Sequence, residues 1–172
     1  MKPTGKCPPR KPTHKILWSW IGSFIGIFLV AMLAQAYEKN SIFLIGSFGA
    51  SAVLVYGAPL AEFSQPRNLI GGHVFSAFVG VSIAYLLASN LVIASALAVS
   101  ISIAVMHLSR TLHPPGGATA LIAIIGGDKI HQLGYSYVIS PVLTGAVILL
   151  LVALFINNIS RNPKRKYPLY WI

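Results

Sequence analysis

The sequence has very little negative charge. Glu38, Glu62 and Asp128 are its three carboxylates among 172 residues, and charged residues of both signs make up only 9% of the chain. A soluble domain carries about 25% charged residues, so this chain lacks the material for a water-facing surface. All three carboxylates fall in predicted turns, whereas a metal-cation transporter needs such ligands inside its spans. The composition therefore argues against a soluble domain and against cation selectivity.

Cysteine is equally scarce. Cys7 is the single one, so neither an internal disulfide nor a cysteine-rich metal site can form. The five histidines include no pair spaced i, i+4, which a helical zinc site would need. No carboxylate lies within an apolar run to complete a Ser-His-Asp set. We therefore predict no enzymatic activity, no metal and no cofactor.

Basic residues are plentiful, and most of them lie at the two ends of the sequence. Of the 13 Lys and Arg residues, nine fall within residues 1–15 and 161–172. Basic flanks beside apolar spans are typical of cytoplasmic segments and attract anionic lipid. No basic stripe with interleaved aromatics occurs elsewhere, so we predict no nucleic-acid partner. We predict a disordered cytoplasmic tail at 1–15 and a second basic cytoplasmic tail at 161–172.

Apolar runs fill the rest, and the hydrophobic fraction is 55%. Four of these runs reach the roughly 20 residues that cross a bilayer: Ile16–Ala36, Leu69–Ser89, Leu91–Ser109 and Val138–Ile159. The first run has an alternative interpretation, because its basic start and its "AQA" ending resemble a secretory signal peptide. The fold class predicted is an all-α polytopic membrane protein with one membrane domain, residues 16–160.

Two further apolar pieces are short and contain glycine. Residues 49–54 read "GASAVL" and residues 117–122 read "GATALI", an offset of 68 residues, and each piece lies between two long runs. The order long–short–long thus occurs twice, which predicts six segments in a 3+3 inverted repeat with halves 16–89 and 91–159. Six crossings place Arg67 and Arg110 on the cytoplasmic side, whereas four crossings with re-entrant short pieces place both outside.

The stretch "RTLHPPGGATALIAIIGG", residues 110–127, interrupts the second half with two prolines and two glycines. Broken backbone at membrane depth survives only where protein or water satisfies it, so we expect the Leu112–Gly117 region to line a cavity. A helix that starts after the glycines would point free N–H groups and its positive dipole end at an anion. The region Gly46–Gly49 would supply a second such N-terminus. We expect Gly117→Val to crowd this site.

The residues "TLHPPGGATALIA", with "GSFGASAVLVYGAP" and "QPRNLIGGHVFSAFVG" upstream, resemble the HPP family of integral membrane proteins. That family takes its name from His-Pro-Pro, here His113 to Pro115, and is usually described as having four membrane helices. Similar members in cyanobacteria and plant chloroplasts are associated with nitrite transport, and many bacterial members have no assigned substrate. The resemblance therefore implies an inorganic-anion transporter, and the choice of nitrite comes from the resemblance alone.

The candidate substrate-binding residues lie at the two breaks or at the starts of neighbouring spans. They are Gly49, Ser51, Arg67, His73, Arg110, His113, Pro114, Pro115, Gly116, Gly117 and Thr119. The hydroxyls could donate to an anion or simply pack, and the arginine forks could bind it or contact headgroups. His113 could bind the anion, carry a coupled proton or cap a helix. His73 could line the pathway.

The function predicted is membrane transport of a small monovalent inorganic anion, nitrite first. Two alternatives remain open: a non-transporting scaffold or assembly subunit, and a membrane-embedded phosphate-handling enzyme that would use Arg110 and His113. We expect an inner, plasma or plastid-type envelope membrane, both termini cytoplasmic, lipid contact along the spans, and a homo-oligomer.

Overall fold

The computed structural model describes residues 5, 7–36, 44–87, 89–159 and 166–172. Residues 1–4 and 6 of the first predicted basic tail, residues 161–165 of the second and the predicted turn at Glu38 lie outside these ranges. Within them, all regular structure is helical, as the all-α prediction requires. In chain order the α-helices are α1 Thr13–Ala36, α2 Gly46–Ala52, α3 Pro66–Leu86, α4 Leu91–Leu108, α5 Pro114–Ile125, α6 Gly127–Leu133 and α7 Thr144–Asn158.

Four of the helical segments are long and apolar enough to cross a membrane: α1, α3, α4 and the run Val138–Asn158, which ends in α7. Two apolar helices are shorter, namely α5 and the run Gly46–Gly57, in which α2 continues through a π-helical turn. The predicted order of long, short and long segments is therefore present in both halves. The short helix α6, within a stretch predicted as a turn, was not foreseen.

Small residues allow α3 and α5 to pack closely. Gly72, Ser76 and Gly80 repeat every four residues on the buried face of α3. A Cβ atom on Gly80 would lie 2.7 Å from the carbonyl oxygen of Ala120 on α5. Spacing of this kind brings two helix backbones together in membranes, where packing rather than the hydrophobic effect drives association. The register of α3 on α5 is set by this contact.

A second close contact joins α1 to α7 around one aromatic side chain. Tyr56 is fully buried, and its hydroxyl donates to the carbonyl oxygen of Leu149 at 3.0 Å. Gly22 and Gly26 of α1 lie against the Tyr56 ring, which a Cβ atom on either glycine would touch. The outward side of α1 is apolar and exposed, with Trp20 64% accessible, as lipid contact requires.

The ends of the helices form two opposite faces of the bundle. At one face the Arg67 guanidinium donates to the carbonyl oxygens of Ser109 at 2.8 Å and Arg110 at 3.2 Å, so α3 begins where α4 ends. We call this the arginine face. Ser82, in the last turns of α3, lies 3.0 Å from the Tyr135 hydroxyl at the opposite face. Successive long and short helices therefore alternate in direction.

The last residues of the chain pack on the arginine face. Tyr167 is 3% accessible, and its hydroxyl donates to the carbonyl oxygen of Ser64 at 2.8 Å. The Leu169 amide donates to Gln65 Oε1 at 2.8 Å. Burial raises the pKa of the Tyr167 phenol. The sequence indicated a basic tail here but gave no signal of this docking.

Candidate functional site

The break between α4 and α5 is shorter than the sequence indicated. Arg110 has a φ of 57°, a left-handed conformation that commonly follows the last turn of a helix. Five residues, Ser109 to His113, separate α4 from α5, and His113 is extended, with φ −140° and ψ 103°. The helix thus begins at Pro114, and the two glycines lie inside its first turn rather than before it.

This start changes the expected chemistry of the helix terminus. Pro114 and Pro115 occupy the first two positions, where proline fits well because it lacks an N–H group. The next amide, that of Gly116, donates to the carbonyl oxygen of His113 at 2.8 Å. These three positions therefore offer no free backbone amide to an anion, and anion binding at a helix N-terminus stays a prediction.

Side chains from α2, α3 and α5 meet in one hydrogen-bonded chain, which we call the histidine chain: Ser47, Ser51, His73, His113 and Thr119. Ser51 Oγ lies 2.7 Å from His73 Nε2 and 2.8 Å from His113 Nε2. At the other side of His73, Nδ1 lies 2.7 Å from Thr119 Oγ1, which is 2.9 Å from Ser47 Oγ. The two imidazole rings are 5.0 Å apart between centroids.

Backbone and aromatic groups hold the two ends of the histidine chain. His113 Nδ1 lies 2.7 Å from the carbonyl oxygen of Phe63, on a short 3₁₀ turn, Glu62–Ser64, that precedes α3. The Tyr137 hydroxyl donates to the carbonyl oxygen of Thr119 at 3.1 Å. His113 is the N-cap residue of α5, and Thr119 lies six residues further along. The histidine chain therefore extends about 9 Å along the α5 axis.

All five side chains are sealed from solvent, with 0–1% of each accessible. Burying a polar group without a partner costs a few kcal/mol, and here both nitrogens of both imidazoles have one. Among the described residues, no carboxylate is hydrogen-bonded to His73 or His113. An intramembrane ionisable group is a functional candidate by default, because it is expensive to keep there.

The candidate glycines divide into tightly packed and open positions. A Cβ atom on Gly116 would lie 2.7 Å from both Gly72 O and Ser76 Oγ. A Cβ atom on Gly117 would meet only Val99 Cγ1, at an ordinary 3.7 Å, and one on Gly49 would meet nothing within 4 Å. A Cβ atom alone therefore does not crowd Gly117, and the effect of Gly117→Val stays a prediction, whereas Gly116 is the tightly packed position.

The two candidate arginines lie apart from the histidine chain. The Arg67 guanidinium already donates to the carbonyl oxygens at the end of α4. A positive charge at this position also interacts favourably with the helix dipole. Arg110 is exposed and lies two residues beyond the end of that helix. Of the predicted residues, the structure brings together Ser51, His73, His113 and Thr119, with Pro114, Pro115 and Gly116 beside them. Gly49, Gly117, Arg67 and Arg110 are not part of that cluster.

Some members of this site were missed by sequence reasoning. Ser47 lies one helical turn before Ser51, and that i, i+4 spacing within "SFGAS" was a usable signal. The Phe63 carbonyl carries no sequence signal at all. Ser76 and Ser102 are fully buried hydroxyls that have no hydrogen-bond partner among the described residues.

Comparisons with known proteins agree on a membrane family. Residues 8–168 match the family described as HPP, transmembrane region. Two Dictyostelium discoideum proteins, both described as transmembrane proteins, are 48% identical over 172 residues and 46% identical over 171 residues. Each alignment covers 96% of this chain but only 54% and 59% of the relatives, so the chain spans little more than half their length. No solved structure matches.

Proposed function

Since the chain belongs to the HPP transmembrane family, we propose that it carries a small monovalent inorganic anion across a membrane, with nitrite the first choice. The observation that carries this proposal is the histidine chain, a set of polar side chains buried between both short helices. A bundle with only a structural role has no need of two imidazoles in its interior, since apolar packing would serve as well.

The chemistry of the histidine chain favours an anion over a cation. It offers hydroxyl protons from Ser47, Ser51 and Thr119 and ring N–H groups from two histidines. No carboxylate takes part among the described residues, so a metal cation would find no charge to offset its own. In this dry arrangement the protein's own groups satisfy one another. Transport then requires that an anion replace some of these hydrogen bonds when the site opens.

The number of donors limits the size and charge of the ligand. The rings of His73 and His113 are 5.0 Å apart, and the Ser51 hydroxyl bridges them. A ligand that takes the place of this bridge has only a few atoms. Without a fixed cation in the cluster, one negative charge is easier to accommodate than two. Nitrite meets both conditions, and its choice over other such anions rests on the family resemblance.

We also propose that the two halves, 16–89 and 91–159, form a 3+3 inverted repeat with six crossings. The short helices Gly46–Gly57 and Pro114–Ile125 support this, because their first and last residue numbers both differ by 68. The alternating helix directions support it too. The basic ends then place both termini and the arginine face on the cytoplasmic side. The membrane is an inner, plasma or plastid-type envelope membrane. A homo-oligomer suits so small a bundle.

Uptake into liposomes tests the transport proposal. The purified chain is reconstituted, and nitrite, nitrate, formate, chloride and acetate are compared in one series against protein-free liposomes. We expect protein-dependent nitrite flux and little flux of acetate. Formate or chloride flux without nitrite flux would overturn the choice of substrate. Metal-cation flux that ignores the anion present, or no flux of any anion, would overturn the proposal and favour the scaffold alternative.

A further inference from the structure

The direction of each hydrogen bond in the histidine chain follows from one carbonyl. The Phe63 oxygen can only accept, so His113 Nδ1 carries a proton and donates it. A neutral imidazole has a single N–H, so His113 Nε2 accepts from the Ser51 hydroxyl. Because the Ser51 proton is used there, His73 Nε2–H donates to Ser51 Oγ, and His73 Nδ1 accepts the Thr119 hydroxyl proton, which then turns away from Ser47 Oγ. Every ring nitrogen is satisfied with no net charge.

The same geometry also satisfies every ring nitrogen with one proton more. When His113 carries two N–H groups, its Nε2–H donates to Ser51 Oγ, and the Ser51 hydroxyl turns to His73 Nε2. His73 Nδ1–H then donates to Thr119 Oγ1, and the Thr119 hydroxyl donates to Ser47 Oγ at 2.9 Å. No side chain has to move, because the donor–acceptor distances are the same in both states.

The two states are connected by proton steps of one bond each. The Thr119 O–H proton passes to His73 Nδ1, the His73 Nε2–H proton passes to Ser51 Oγ, and the previous Ser51 proton passes to His113 Nε2. When the site opens, one proton from a hydronium ion, which is left as water, replaces the proton lost by Thr119. Three N–H or O–H bonds break inside the chain and three form there, and the incoming proton restores the Thr119 hydroxyl. The excess charge ends on His113.

We infer that the histidine chain is a proton site, and that the protein carries one proton together with each anion. The inference rests on the proposed anion transport and names the second substrate. A cationic imidazolium buried without a counter-charge is costly, and so is a lone anion in the same place. Each supplies the charge that the other lacks. The pair is neutral, so its passage moves no net charge across the membrane.

Among the described residues, no charged or titratable group around the histidine chain supplies a counter-charge to the imidazolium. The anion must therefore supply it. Arg67 is bound to the carbonyls that end α4, and Glu62, on the turn that carries Phe63, is hydrogen-bonded to neither imidazole. The Tyr137 hydroxyl is bound to Thr119 O, and the Tyr167 hydroxyl to Ser64 O. Within the described ranges, α2, α4, α5 and α7 contribute no carboxylate or lysine toward the histidine chain.

The test measures proton and anion uptake together in liposomes that hold the purified full chain. A trapped pH dye reports protons, a chemical assay reports nitrite, and potassium with valinomycin sets the membrane potential. Protein-free liposomes measure diffusion of nitrous acid, and nitrate is run in parallel because its acid is fully ionised. We expect one proton per anion, no response to potential, and about tenfold accumulation per unit of pH gradient.

Variants locate the proton. Glutamine can hydrogen-bond in place of histidine but takes up no proton, so His73→Gln or His113→Gln should abolish proton uptake. His107→Gln, on the exposed face of α4, is the matched control and should stay coupled. Anion flux without protons in the unmodified protein would overturn this inference alone, as would one-to-one coupling in either glutamine variant. Absence of all anion flux would overturn the proposed function as well. If the variants do not fold, the stoichiometry of the unmodified protein decides.

Discussion

Gly116 and Gly117 are neighbours in the first turn of α5 that face different surroundings, so replacing each by alanine tests the packing directly. At Gly116 the new methyl group would meet Gly72 O and Ser76 Oγ at 2.7 Å and Met106 Sδ at 3.0 Å. The first of these is backbone of α3 and cannot rotate away. At Gly117 the methyl group would face a groove of about 510 Å³ and touch only Val99.

The magnitudes follow from two opposing effects. Alanine in place of glycine stabilises a helix interior by about 1 kcal/mol. Overpacking a filled interior costs about 1–3 kcal/mol, and a backbone neighbour favours the upper part of that range. Gly116→Ala should therefore lose about 1–2 kcal/mol of unfolding free energy, whereas Gly117→Ala should gain up to about 1 kcal/mol.

Thermal unfolding in detergent, followed by intrinsic tryptophan fluorescence, measures both variants. For a chain of this size 1 kcal/mol corresponds to about 2–4 °C, so Gly116→Ala should lower the Tm by about 2–8 °C. Gly117→Ala should leave the Tm unchanged or raise it. A larger loss at Gly117 than at Gly116 would refute the helix register on which the site description depends.

Two further predictions concern the arginine face and the crossings. Arg67→Lys should lower the unfolding free energy by about 1 kcal/mol, because lysine cannot donate to both carbonyls. The apparent nitrite KM should stay unchanged. A large rise in KM would instead make Arg67 a ligand. In a Cys7→Ser background, Glu62→Cys and Asp128→Cys should be labelled by impermeant reagents from opposite sides of the membrane. Labelling of both from one side would refute six crossings.

The long spans were predictable because apolar runs of bilayer length have few other uses. The break at His113 was predictable for the same reason, since Pro-Pro-Gly-Gly inside apolar sequence requires a special environment. The residue at which α5 starts was not predictable, because proline is found both at the first position of a helix and just after the end of one. Gly116 then serves contact with α3 rather than backbone freedom.

The meeting of His73 with His113 could not be read from sequence. Nothing local fixes how α3 lies along α5, and the small-residue contact at Gly72 and Gly80 sets it only once both helices are in place. The Phe63 carbonyl, which decides the proton positions of the histidine chain, is a backbone group of an ordinary turn. Tertiary partners of this kind leave no pattern along the chain.

Ser51→Ala is the measurement that tests the central claim most directly, because Ser51 Oγ is the atom that both histidines share. The change removes one oxygen atom, creates no clash and leaves His73 Nε2 and His113 Nε2 without their common partner. A loss of about 1–3 kcal/mol at a transport site corresponds to a rate lowered about 5- to 160-fold.

Nitrite uptake into liposomes is compared for the unmodified protein, Ser51→Ala and the control Ser100→Ala, whose hydroxyl lies on the exposed face of α4. We predict that Ser51→Ala folds, as shown by its elution and helix content in detergent, and transports at least about fivefold more slowly, while Ser100→Ala is unaffected. A folded Ser51→Ala protein that transports nitrite at the unmodified rate would contradict the assignment of the histidine chain as the transport site.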